Sequence, residues 1–175
     1  RRRENVSGLP AADRALRHAG AHERDYLFLY PGSSGRQRYK RYPAARFGLV
    51  ARSLIGAGRE VVLGTGPGEE EIARTMVAVA GPQLHVLPPT SLLAMAEIIR
   101  RAALFVGGDT GPMHIAAHQG VPVVALFGPT EPALNAPWGE GHIVLDALAG
   151  PPAAAGAAGF TTALAGAASF PAVPS

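Results

Sequence analysis

One stretch constrains the fold above all others: Leu104-Phe-Val-Gly-Gly-Asp109-Thr-Gly-Pro-Met-His114, followed closely by Gly120-Val-Pro-Val-Val-Ala-Leu-Phe-Gly-Pro-Thr130. It reads as strand, glycine-rich turn, helix, strand, turn: a β-α-β unit with polar groups gathered at one helix start. Leu104, Phe105 and Val106 form a short apolar run of the kind buried in parallel sheets. The run ends at Gly107-Gly108, where a turn carries no Cβ penalty. Asp109 or Thr110 caps the helix that follows, and Pro112 suits its first turn, where a missing N–H costs nothing. Free amides at that start, with the positive end of the helix dipole, make an anion site whose natural guest is a nucleotide phosphate. The spacing is neither the G-x-G-x-x-G of dinucleotide-binding folds nor the Gly-Lys-Ser/Thr ending of a P-loop.

The rest of the chain repeats the alternation. Asp25 to Tyr30 predicts a first buried strand, and Phe47, Val50, Ala51 and Leu54 recur at helical spacing between Ala44 and Ala57. Val61-Val62-Leu63 is the second strand, a helix from Glu69 to Ala80 follows, and Leu84 to Leu87 is the third strand. Thr90 or Ser91 caps a helix with Leu92, Met95, Ala96 and Ile99 on one face. Leu104–Val106 and Val121–Phe127 are the fourth and fifth strands around the helix Pro112–His118, and Ile143–Leu145 is a sixth. Short connections between alternating strands and helices enforce right-handed parallel crossovers, so the expected fold is α/β, a doubly wound parallel sheet of Rossmann-like kind. Ligands of such sheets bind beyond the carboxyl ends of the strands, where every motif above lies.

Domain limits follow from composition. Residues 1–24, rich in arginine and alanine, read as a linker ending in a helix such as Ala11–His18. Residues 25–146 form the single domain. Residues 147–175 are a low-complexity Ala/Gly/Pro tail with almost no charge, a composition that buries little and predicts disorder. Aromatic residues make up only 6% of the chain against 47% hydrophobic, so the core must be built from Val, Leu, Ile and Ala. The absence of cysteine excludes disulfides and a thiolate zinc site, and His22, His85, His118 and His142 have no partners at ligand spacing, so no metal is expected. A net charge of +3 is mild. No nucleic-acid partner is expected, though a basic surface suits peripheral contact with an anionic leaflet of the inner membrane. No apolar run approaches the roughly 20 residues that span a bilayer, and no secretory segment is visible, which points to the cytoplasm. A start at Arg1 points to a fragment.

The ordered strings also carry a resemblance. Asp109-Thr-Gly-Pro-Met-His114 and Gly120-Val-Pro-Val-Val-Ala-Leu-Phe-Gly-Pro-Thr130 resemble the donor-nucleotide motif of the bacterial heptosyltransferases, glycosyltransferase family 9. Tyr30-Pro-Gly-Ser-Ser34 leading to Lys40-Arg-Tyr-Pro43 resembles the family's Pro-Gly-Ser/Ala and Lys-x-Trp-Pro, and Val61-Val-Leu-Gly64 with Gly66-Pro-Gly-Glu69-Glu-Glu71 is a third match. The resemblance spans Tyr26 to Leu145. It implies the donor-binding half of a GT-B glycosyltransferase, with ADP-heptose as donor, no separate cofactor, and the lipopolysaccharide inner core as acceptor through an amino-terminal domain that this chain lacks.

Roles follow residue by residue. Thr110 and Gly111 offer a hydroxyl and amides to the donor diphosphate, and Asp109 orients the loop or bonds a sugar hydroxyl. An aspartate beside phosphate repels it, so a cation is required. Lys40 is the candidate, matching the family lysine that meets the phosphates or steadies charge on the departing nucleotide, and Arg36, Arg38 and Arg41 are its rivals. Lys40 is therefore the one catalytic candidate. Ser33 and Ser34 suit a phosphate or sugar contact as well as an ordinary turn. Of Glu69, Glu70 and Glu71, Glu70 best matches the family's ribose-binding glutamate, although acids in a first helical turn also favour the dipole. Thr90 lines a base pocket with Leu87 and Pro88 or merely caps a helix. His114 reaches a phosphate or Asp109, and Thr130 offers a second phosphate or sugar contact. No residue stands out as the base that deprotonates the acceptor. Two other readings stand beside the heptosyltransferase: a GT-B protein with another donor, including a nucleotide-sugar epimerase, and a truncated, non-catalytic nucleotide-binding fragment.

Overall fold

The computed structural model describes residues 9–22 and 24–146. Six strands, β1 (Leu27–Tyr30), β2 (Val61–Leu63), β3 (His85–Val86), β4 (Leu104–Gly108), β5 (Val123–Phe127) and β6 (Ile143–Asp146), form one sheet in the order β3-β2-β1-β4-β5-β6. Every pairing is parallel. The helices are α1 (Leu9–Ala19), α2 (Ala44–Gly56), α3 (Glu70–Ala80), α4 (Leu92–Arg100), α5 (Gly111–His118) and the four-residue α6 (Pro132–Asn135), with a 3-10 segment at Gly35–Lys40. This is the expected doubly wound α/β fold.

Strand alternation sorts the core into two layers. Tyr26, Phe28, Val62, Phe105, Val123, Ala125 and Phe127 face α1, α4 and α5, where Leu16, Ile98, Ile99 and Met113 are fully buried. Phe28 and Phe105 meet at a ring separation of 5.9 Å, as partners in the β1–β4 register. Leu27, Leu29, Leu63, Leu104, Val106, Val124 and Leu126 face α2 and α3, packing on Phe47, Ala51 and Met76. Each large side chain so buried contributes about 1.5–3 kcal/mol. The buried Tyr26 hydroxyl donates to the Ile98 carbonyl at 2.6 Å, so this polar atom leaves no unpaired group in the layer.

Three expectations change. The helix expected near Ala11–His18 forms as α1, but its Ala12, Ala15 and Leu16 are buried against α4 instead of lying in a linker. Residues 9–22 therefore pack as part of the domain. The first strand starts at Leu27, two residues late, because Asp25 holds a left-handed backbone (φ 65°). The turn expected at Gly107-Gly108 does not form there: both residues extend β4, and Gly107 is needed for close approach, since a Cβ on it would stand 2.8 Å from the Tyr30 carbonyl. The tail at 147–175 and residues 1–8 lie outside the described residues. No described helix is long and apolar enough to cross a membrane.

Candidate functional site

In this strand order the chain reverses its winding between β1 and β4, so their carboxyl ends open a crevice at the centre of the sheet. The loop after β1 and the loop after β4 meet there. Lys40, the last residue of the 3-10 segment, donates from Nζ to Asp109 Oδ2 at 2.8 Å, with side chains only 12% and 7% exposed. A buried carboxylate at the carboxyl edge of the sheet thus has its cation. The His114 ring, one turn into α5, stands 4.0 Å from the other Asp109 oxygen, beyond hydrogen-bond distance.

Thr110, rather than Asp109, takes the N-cap position of α5, in extended backbone (φ −146°, ψ 160°), and its side chain makes no capping bond. Its hydroxyl instead donates to the Gly108 carbonyl at 3.3 Å. Pro112 has no amide hydrogen and the Met113 and His114 amides donate to the Thr110 carbonyl at 3.1 and 3.4 Å, which leaves the amides of Thr110 and Gly111 at the start of α5 outside the helix's own bonding. Gly111 is not at positive φ, and a Cβ built on it meets nothing within 4 Å, so the space before it is free.

A second cluster lies beneath the first. Glu69, 3% exposed, precedes α3, and its Oε1 accepts from the Ser33 amide at 2.9 Å and from Arg41 Nη2 at 2.6 Å, while Oε2 accepts from the Gly66 amide at 2.7 Å. Arg41 also donates from Nε to Ser33 Oγ at 3.0 Å and from Nη2 to the Ser33 carbonyl at 2.7 Å. Ser33 Oγ donates to the Gln37 carbonyl at 2.9 Å. Gly32 has no side chain because a Cβ there would land inside the Glu69 carboxylate. Burial, with the Glu69 charge beside it, holds the neighbouring Tyr30 phenol above its ordinary value despite the opposing effect of Arg41.

The sequence candidates therefore fall into four groups. Lys40, Asp109, Thr110, Gly111 and His114 come together at the crevice. Ser33 is occupied by Glu69, Arg41 and Gln37, whereas Ser34 is exposed, its hydroxyl donating to Gln37 Oε1 at 3.2 Å and its carbonyl accepting from the Gln37 amide at 2.8 Å. Glu70 points away in solvent and accepts from the Gly68 amide at 3.3 Å. The hydroxyls of Thr90 and Thr130 are buried with no hydrogen-bond partner among the described residues, Thr90 beside a depression of about 390 Å³ also lined by Arg14 and His18. Ser91, not Thr90, caps α4, accepting from the Ala94 amide at 3.3 Å. Sequence reasoning missed the joint role of Glu69 and Arg41. Glu69 is one of three adjacent glutamates, and nothing in their order marks which turns inward.

The model of a family described as Glycosyltransferase family 9 (heptosyltransferase) matches residues 4–153. The chain is 34% identical over 137 residues to lipopolysaccharide heptosyltransferase 3 of Escherichia coli, covering 74% of this chain and 38% of that protein. It thus spans well under half the length of that relative. Among solved structures, the ADP-heptose lipopolysaccharide heptosyltransferase II of E. coli is 26% identical, with a TM-score of 0.67 over 81% of this chain and 44% of that one. The E. coli heptosyltransferase WaaC with ADP superimposes with a TM-score of 0.73 at 24% identity, over 89% of this chain and 48% of that one, a likeness of fold. A UDP-GlcNAc 2-epimerase of Methanocaldococcus jannaschii shares only the fold, at 12% identity and a TM-score of 0.54 over 82% of this chain and 39% of that one.

Proposed function

The chain belongs to glycosyltransferase family 9, the heptosyltransferase family, and from that premise we propose that it binds the donor of a heptosyl transfer, ADP-heptose, for an enzyme acting on the inner core of lipopolysaccharide. The observation that carries the reading is the Lys40–Asp109 pair at the β1/β4 crevice, beside the open start of α5.

The chemistry follows from charge. An acceptor hydroxyl oxygen bonds to the anomeric carbon from the face opposite the diphosphate, and the bond from that carbon to the phosphate oxygen breaks. Its electron pair leaves with ADP, the acceptor proton passes to a base, and the anomeric configuration inverts. Negative charge grows on the leaving diphosphate, so a fixed cation and aligned amides lower the barrier more than they aid ground-state binding. Lys40 supplies the cation, the amides of Thr110 and Gly111 the dipoles, and Asp109 holds Lys40 in place until the diphosphate competes for it. Thr130 and His114 add polar contacts on the same edge. The base and the acceptor surface belong to the length of the relatives that this chain does not span. No cofactor beyond the sugar nucleotide is proposed, and the reaction is placed in the cytoplasm with peripheral contact to the inner membrane, where the acceptor resides.

Thermal unfolding with ADP, UDP and GDP tests the donor. A ligand at a hundredfold excess over its Kd stabilises by about 2.7 kcal/mol. ADP is expected to raise the midpoint clearly, and UDP and GDP to leave it nearly unchanged. Equal shifts with all three would move the reading to a GT-B protein with another donor, and no shift with any would leave only a fold without a donor site.

A further inference from the structure

We infer that Arg41 and Glu69 are the positioning residues of Lys40: their buried bridge locks the loop after β1 so that the lysine reaches across to β4. The inference rests on the reading of the crevice as the donor-phosphate site and deepens it.

Lys40 has a difficult task. It sits at the end of a six-residue 3-10 segment whose residues are all at least partly exposed, and 3-10 geometry is intrinsically weak. Gln37 inside that segment departs from helical angles (φ −117°, ψ 30°), so the segment does not hold itself straight. A lysine on such a segment would sample many rotamers, and that freedom is lost when the side chain is fixed. Both ends of the segment are nevertheless tied to one point. At its start, the Ser33 amide is held by Glu69 and the Ser33 hydroxyl closes onto the Gln37 carbonyl. At its end, Arg41, the residue next to Lys40, returns to the hydroxyl and carbonyl of Ser33 and to Glu69. The loop is thereby closed on itself.

Glu69 anchors this closed loop to the rest of the sheet. Its second oxygen accepts from Gly66 in the loop after β2, so the segment is fastened to the neighbouring strand's loop. With its charge matched by Arg41 and two amides, the buried carboxylate is fully paired, and such pairs act more by fixing geometry than by adding stability. Arg41 is 18% exposed at its side chain and Glu69 is 3% exposed, so neither is free to take the donor directly in this arrangement. A bidentate guanidinium is required: lysine in its place offers one point charge and cannot hold Ser33 and Glu69 together.

The test is a double-mutant cycle on the 175-residue chain, read by calorimetry with ADP and, separately, adenosine. Lys40→Ala is expected to weaken ADP about tenfold, the scale of one hydrogen bond to a charged group. Arg41→Gln is expected to weaken ADP by a similar factor while leaving adenosine, which has no phosphate, unchanged. The double variant should bind ADP no more weakly than Lys40→Ala alone, because Arg41 acts through Lys40. Glu69→Gln, which keeps the shape but removes the charge, should behave like Arg41→Gln. If it unfolds the chain, Arg41→Gln decides alone, since it leaves the carboxylate its two amide partners. Additive losses in the double variant would make Arg41 a direct phosphate ligand and overturn the inference, as would an equal loss of adenosine affinity or an Arg41→Gln variant that binds ADP like the parent. A parent that binds no ADP overturns the donor reading itself, and the inference with it.

Discussion

At the scale of single residues, Gly111 offers the sharpest separation of binding from folding. Its backbone is not at positive φ and its missing Cβ faces open space, so a larger side chain there is tolerated by the fold and intrudes only on a bound diphosphate. Gly111→Val is expected to abolish ADP binding in titration calorimetry while circular dichroism and the unfolding midpoint stay close to those of the parent. Thr110→Ala should be milder, losing about 1.5–3 kcal/mol of affinity if the hydroxyl turns from Gly108 to a phosphate. Parent-like binding by both variants would reduce Asp109-Thr110-Gly111 to a plain helix start. Some of this site is readable from residue chemistry: a carboxylate beside a phosphate site demands a cation, and Lys40 stands at Asp109. The inward turn of Glu69 and the outward turn of Glu70 are not readable, since adjacent glutamates at a helix start differ only in phase, and helix boundaries are uncertain by one or two residues. Unpaired hydroxyls are likewise invisible in a sequence, and Thr90 and Thr130 emerge only once their neighbours are placed.

At the scale of elements, strands and helices alternate in the chain as they do in the fold, because each strand is a short apolar run bounded by Gly or Pro and each helix has its own apolar face. What composition hides is not α1 itself, expected near Ala11–His18, but its packing into the domain. Its buried face consists of Ala12, Ala15 and Leu16, too small to stand out among the arginines, yet small residues are what let the helix lie close on α4. Its tether is electrostatic as well. Arg101, just past α4, donates from Nη1 to Asp13 Oδ1 of α1 at 2.6 Å and from Nε to Glu97 Oε1 at 2.8 Å, and Arg100 donates to both Glu97 oxygens at 2.9 and 2.7 Å. Hydrogen bonding from Arg100 first, then Arg101, holds the Glu97 carboxyl at about 2, below its ordinary 4.5. The folded chain thus gives up this proton more readily than the unfolded chain. The stabilisation is complete above about pH 4.5 and is lost as pH falls toward about 2. Glu97→Gln is therefore expected to lower stability at pH 7 by about 1.5–3 kcal/mol, the worth of hydrogen bonds to a charged group. In urea unfolding the gap to the parent should close between those two pH values. A gap of the same size at both ends would show that packing, not charge, ties α1 to α4.

At the scale of the whole molecule, the order β3-β2-β1-β4-β5-β6 decides where chemistry collects. Residues as distant in the chain as Lys40 and Asp109 meet because β1 and β4 are neighbours at the reversal, and the loops after β2, β3 and β5 open on the same edge. The proposed donor contacts thus all fall within one domain. In a chain covering 38% of its relative's length, the expected behaviour of the isolated 175 residues is binding without transfer. The affinity should be modest, with Kd on the order of 10 μM to 1 mM, or about −7 to −4 kcal/mol, because one domain grips the nucleotide from a single side. Calorimetry with ADP reads the first half of this expectation. Incubation with ADP-heptose and a lipopolysaccharide core acceptor, followed by mass spectrometry of the acceptor, reads the second. Transfer by these residues alone would mean that a base and an acceptor surface lie within Ser33–Thr130 or its flanks, and the division of labour argued from the sheet would be wrong.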